Sequence, residues 1–147
     1  MTLATELALA TAMVALTVIL HLAGLTVLLT LIRKHRSLRP ERHALVHDSL
    51  GVVAAAFGLF ALHGAEIWAY AMLYALTGAL GGIEEALYFS TSTYATIGYG
   101  DVVLPAGWRV LGAIEGANGV ILLGWSTAFF VAVVSRLRFL ERELSDR

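Results

Sequence analysis

Thr93-Tyr94-Ala95-Thr96-Ile97-Gly98-Tyr99-Gly100-Asp101 is the stretch on which the reading of this chain turns. It spells T-x-x-T-x-G-Y-G followed by an acid, with an apolar-aromatic run before it and a long apolar segment after it. The whole chain has 147 residues, 59% of them apolar and 14% charged. An average soluble domain is about 45–50% apolar even with glycine counted, and about 25% charged. A soluble fold of this size would expose too much hydrocarbon, which excludes an ordinary cytosolic enzyme. Disordered chains are polar and charged, so disorder is excluded too. Zero cysteines exclude a disulfide scaffold, a thiolate metal site and a cysteine nucleophile. A net charge of −1 gives no bulk attraction to nucleic acid. A small membrane protein remains.

Residues 7–32 form an uncharged run of 26 residues in which His21 and four threonines are the only polar side chains. As a helix the run reaches roughly 39 Å, enough to cross a hydrocarbon core about 30 Å thick with some tilt. It is too long for the apolar core of a signal peptide, and Glu6 rather than a basic residue precedes it. A second span is expected from about Ser49 to Leu76, interrupted by His63 and Glu66. A third is expected from about Trp108 to Ser135, with Arg109 near its start and Glu115 within it. Between them, Thr77–Gly107 reads as a re-entrant element. Trp108 suits an outer aromatic belt, and Trp68 and Trp125 read as deeper packing residues.

Basic residues set the direction. Five of the ten, Arg33, Lys34, Arg36, Arg39 and Arg42, lie in the first connection, and Arg136, Arg138, Arg142 and Arg147 follow the third span. The positive-inside rule then puts that connection and the C-terminus in the cytoplasm, and the N-terminus and Thr77–Gly107 outside. The expected location is the plasma (cell inner) membrane. The same five cations are a candidate site for anionic lipid heads. They also argue against a metal site at His35, His43 and His47.

The motif resembles the selectivity filter of the potassium channel family. The resemblance covers about Ser49 to Arg138: outer helix, pore helix, filter and inner helix. It implies domains at 1–48 (an extra helix and basic loop), 49–138 (the pore domain) and 139–147 (a short tail). A dehydrated cation needs a cage of oxygens, and successive carbonyls supply one only if all point to a single axis. Glycine reaches the required dihedrals cheaply, hence Gly98 and Gly100. Ile97 and Tyr99 are expected to wedge the loop against its support. The resemblance implies that Thr96, Ile97, Gly98 and Tyr99 coordinate the ion, with Gly100 closing the stretch. It assigns Ser92, Thr93 and Asp101 to filter support. Ser92 stands where some members carry an acid, and Tyr88-Phe89 where others have two tryptophans. The first span is also additional to the family pattern.

Glu84–Ala95 is expected to be a short pore helix of roughly 18 Å, with Glu84 and Glu85 at its positive end. The expected fold is therefore an all-α membrane protein with three transmembrane helices, a re-entrant pore helix and a filter loop. One chain carries one filter segment, so a homotetramer is expected, with the pore on the fourfold axis. Gly119 lies where the family has its hinge glycine, close packing being the other reading. Leu123, Thr127 and Val131 recur every four residues as candidates for the cavity and an apolar gate. His21, His63, Glu66 and Glu115 lie at membrane depth, where ionisable residues are expensive. They form a candidate proton-sensitive cluster, with polar packing between helices as the plainer reading, and Asn118 reads as an interhelical hydrogen-bonder.

The expected function is passive potassium conduction, with a weakly selective cation channel or a non-conducting membrane subunit as alternatives. No enzyme motif is present. No cofactor is expected, and potassium is the only metal. A short channel without regulatory domains is the prokaryotic expectation.

Overall fold

The computed structural model describes residues 1–37 and 44–145. It consists of helices α1 (Leu3–Ser37), α2 (Ala44–Leu76), α3 (Ile83–Tyr94) and α4 (Arg109–Ser145), with no strand among the described residues. Three stretches are long and apolar enough to cross a membrane: Leu3–Lys34, Leu50–Leu76 and Arg109–Ser135. These are the three spans read from the sequence, each within a few residues. Of the five basic residues after the first span, Arg33 and Lys34 are described and exposed. The side chains of Arg36, Arg39 and Arg42, of His35, His43 and His47, and of Arg136 onward lie outside the described residues.

Hydrogen bonds fix the course of the chain. The N-terminal N–H groups of any helix lack intrahelical partners. At α4 a carboxylate from another helix supplies them: Glu6 accepts from Val110 N at 2.7 Å and Leu111 N at 3.2 Å. Negative charge is favoured at that positive end, and Glu6 is buried there. The starts of α1 and α4 therefore lie at the same end of the molecule, and the two helices run parallel. Ala79 N donates to Tyr74 O at 2.9 Å in the turn that leaves α2.

α3 then runs back along α2. Phe89 meets Tyr74 edge-on, Ser90 Oγ lies 3.0 Å from Ile67 O, and Tyr94 reaches Glu66. Rising numbers on α3 match falling numbers on α2, so the two are antiparallel. Trp108 is again beside Tyr74, with ring centroids 6.3 Å apart. The segment from 77 to 108 thus enters and leaves at one end, which is the re-entrant path expected.

α1 packs on α2 and α4, and α3 sits between α2 and α4. The α1–α2 contact is built from two reciprocal pairs. A Cβ on Gly24 would overlap the Leu62 side chain, and one on Gly58 would overlap Leu28. Small residues let helix backbones approach where lipid provides no hydrophobic drive between helices. Tyr70, Tyr74, Tyr94, Leu111 and Leu122 are fully buried where α3 is enclosed. Asn118 Nδ2 donates to Thr17 Oγ1 at 2.8 Å and Tyr70 Oη at 3.3 Å, joining α4 to α1 and α2. Trp68 and Trp125 are not core: they are 48% and 42% exposed.

Candidate functional site: the motif loop and the buried polar groups behind it

α3 holds the loop that carries the motif. Glu84 and Glu85 lie in its first turn, and Glu85 Oε2 also accepts from Gly81 N at 2.7 Å. The helix starts and ends one residue earlier than the sequence suggested. At its C-terminus the carbonyl of Ser92 accepts from Ile97 N at 2.8 Å and Gly98 N at 3.2 Å. Ser92 therefore steadies the loop through its main chain. Thr96 N donates to Thr93 O at 3.0 Å.

Thr96, Gly98 and Gly100 have φ of 59°, 59° and 77°. The left-handed region thus recurs at every second residue, with Ile97 and Tyr99 between. The two glycines adopt this conformation without a Cβ clash. Thr96 does not: a β-branched residue at positive φ is an outlier, and such strain costs on the order of 1–3 kcal/mol. Thr96 stands out in the sequence only through its place in the motif. Its strained backbone was not legible, because glycine is the sequence signal for that conformation.

Ile97 and Tyr99 do not wedge against their own chain. They are 51% and 71% exposed. After the motif glycines, Tyr88 Oη donates to Asp101 Oδ2 at 2.7 Å, and Asp101 Oδ1 accepts from Val102 N at 3.1 Å. The Tyr88 hydroxyl holds the Asp101 carboxyl below the usual carboxylate range, and the same bond pushes the Tyr88 phenol up. The pairing of Tyr88 with Asp101, 13 residues apart, was not evident from the sequence.

Behind the loop lie two buried polar groups rather than one cluster of four. The first joins all four helices around Glu66. His21 Nδ1 lies 2.8 Å from Glu66 Oε1, and His63 Nδ1 lies 2.9 Å from Glu66 Oε2. Tyr94 Oη donates to Glu66 Oε2 and lies 3.1 Å from His63 Nδ1. His63 Nε2 is 2.9 Å from Ser126 Oγ. Ring atoms of His21, His63 and an oxygen of Glu66 all fall within 4.8 Å of one another, close enough for a cation to be shared.

Glu115 stands apart from them. Tyr74 Oη donates to its Oε2 at 2.7 Å and Ser90 Oγ to its Oε1 at 2.5 Å. It is 11 positions before Ser126, or about 16 Å along α4. Among the described residues no hydrogen bond joins Glu115 to His21, His63 or Glu66.

The candidates on α4 divide as well. At Gly119 a Cβ would overlap the carbonyl oxygen of Tyr94, so α4 touches the main chain at the end of α3 there. Leu123 is half-buried against the core. Thr127 is exposed and donates to Leu123 O at 2.9 Å on its own helix, and Val131 is 56% exposed.

A re-entrant helix and a loop with alternating backbone handedness, set between two membrane spans, define a pore-forming membrane protein. Residues 52–136 match the model of the ion channel family. The chain belongs to that family. The match falls inside the expected pore domain and leaves the whole of α1 outside. No curated protein and no solved structure matches the chain.

Proposed function

We propose that this ion channel protein conducts potassium selectively. The single observation that carries the reading is the alternation of left-handed backbone at Thr96, Gly98 and Gly100 within a T-x-x-T-x-G-Y-G stretch. It supports a row of carbonyls from Thr96, Ile97, Gly98 and Tyr99, closed by Gly100, that replaces the hydration shell of the ion.

The pore is a homotetramer in this reading. One chain supplies one wall of the cage, and irregular backbone at membrane depth is tolerable only when protein surrounds it or a water-filled path runs beside it. The exposure of Ile97 and Tyr99 supports this, since neighbouring copies would cover them. Thr93 and Asp101 brace the filter with Ser92. Gly119, Leu123, Thr127 and Val131 shape the inner helix and its gate. The N-terminus faces outward and the C-terminus the cytoplasm of a prokaryotic plasma membrane. Arg33, Lys34, Arg36, Arg39 and Arg42 meet anionic lipid heads at the inner surface.

The test is flux of potassium against sodium in liposomes carrying the purified protein, with Gly98→Ala beside it. Potassium flux exceeding sodium flux, and lost in the variant, is the expected result. Equal fluxes would make it a weakly selective cation channel. No flux across a range of voltages and pH would make it a non-conducting subunit.

A further inference from the structure

We propose that the buried group around Glu66 is a binding site for one proton, that the proton resides on His63, and that it ties the end of the pore helix to the inner helix. Glu66 is fully buried within a membrane span, and its charge-bearing partners are the two histidines. With both imidazoles neutral, the site holds a net negative charge in a low-dielectric interior, where an uncompensated ion is costly. One added proton makes it neutral.

Hydrogen-bond bookkeeping decides which ring takes that proton. An imidazolium donates from both nitrogens. His63 has an acceptor at each: Glu66 Oε2 at Nδ1 and Ser126 Oγ at Nε2. His21 has one, Glu66 Oε1 at Nδ1, while its Nε2 is buried without a partner. A second proton on His21 would bury an unpaired charged N–H, which costs more than an unpaired neutral acceptor. His21 therefore stays neutral, with its hydrogen on Nδ1.

The titratable neighbours are accounted for on every element. α1 brings His21, and α2 brings Glu66 and Tyr70, the latter bonded to Asn118. α3 brings Tyr94, which already donates to Glu66. α4 brings Ser126, while its Glu115 is engaged by Ser90 and Tyr74.

The proton changes the tie between helices. Without it, the Ser126 hydroxyl donates to His63 Nε2. With it, Nε2–H donates to Ser126 Oγ, and the hydroxyl hydrogen turns to its own helix one turn back. The second arrangement is charge-assisted and roughly twice as strong. His63 then grips Tyr94, two residues before Thr96, and α4 together. The effect on conduction rests on the reading of the chain as a channel, whereas the proton site itself does not.

The experiment has two readouts on the full chain in lipid bilayers. Imidazole nitrogen NMR of histidine-labelled protein is recorded over pH 5 to 8, the range in which histidine ordinarily changes charge. His63→Gln provides the assignment. If that variant does not fold, Ser126→Ala does so instead, by perturbing the Nε2 resonance of His63. Potassium flux from liposomes is measured over the same range for wild type and Ser126→Ala. The expected result is a doubly protonated His63 beside a neutral His21. Ser126→Ala should cut that doubly protonated fraction severalfold and displace the pH profile of flux.

A His63 that stays singly protonated throughout, or a His21 that takes the proton, overturns the proposal. So does a divalent metal that copurifies one per chain and is held by these residues. Identical pH profiles of flux in wild type and Ser126→Ala overturn the coupling. If His63 titrates as described but wild type passes no potassium at any pH, the proton site stands and the conduction reading falls.

Discussion

Replacing Gly119 by alanine separates a packing role from a bending role. Glycine in mid-helix is less stable than alanine by up to about 1 kcal/mol. A glycine present only to bend therefore yields a more stable protein when alanine replaces it. At Gly119 the new Cβ would lie 2.9 Å from the Tyr94 carbonyl carbon and closer still to its oxygen. Ordinary carbon contacts are about 3.5–4.0 Å, so α4 and the end of α3 must part by roughly 0.6 Å or more. The obstacle is main chain and cannot swing aside as a side chain would. Overpacking of this kind costs about 1–3 kcal/mol, and a rigid obstacle belongs at the upper end. The net loss is then about 2 kcal/mol, or roughly 4–8 °C in thermal midpoint for a chain of this size. Gly64→Ala on α2 is the control: among the described residues no atom lies within 4 Å of its Cβ position, and a rise of about 2–4 °C is expected. Both are measured by circular dichroism melting in detergent. A Gly119→Ala midpoint at or above that of wild type would refute the packing argument.

Three further predictions test other joints. Glu6→Ala removes the carboxylate that caps α4 and should destabilise by about 1–3 kcal/mol, with faster hydrogen exchange at the Val110 and Leu111 amides; Glu6→Gln, which keeps an acceptor oxygen, should recover part of that protection. Tyr88→Phe removes the hydroxyl that holds the Asp101 carboxyl down. A depressed carboxyl contributes stability above its ordinary range that is lost as pH falls through the folded-state value; the variant lacks the bond behind that contribution, so its Asp101 carboxyl should protonate at higher pH than in wild type, read by carboxyl carbon NMR. Gly58→Ala should lower the melting midpoint because its Cβ meets Leu28, and Leu28→Ala in the same chain should restore part of the loss, with a coupling of about 0.5–3 kcal/mol in a double-mutant cycle.

The spans were legible because a membrane demands one thing of a helix, about 20 apolar residues, and composition records it directly. The re-entrant segment was legible too, since Glu84 and Glu85 announce the start of a short helix between two spans. The loop after α3 was half legible. Gly98 and Gly100 advertise left-handed backbone, and Thr96 conceals the same conformation behind a residue that ordinarily avoids it. Glu66 and Glu115 were visible as costly residues, but nothing in their spacing said that they belong to separate groups.

Local requirements are thus written in the chain itself: hydrophobic length, helix ends, and glycine where the main chain turns left-handed. Partners are not, because they depend on how helices far apart in sequence are laid together. Only the packed structure sets Glu6 on the start of α4, 104 residues away. It also closes Gly24 and Gly58 under opposing leucines. It gives His63 two acceptors while leaving His21 with one. The physical reason is that a side chain's hydrogen-bond inventory is fixed by its chemistry. Which of those bonds are made depends on the depth and rotation of three other helices.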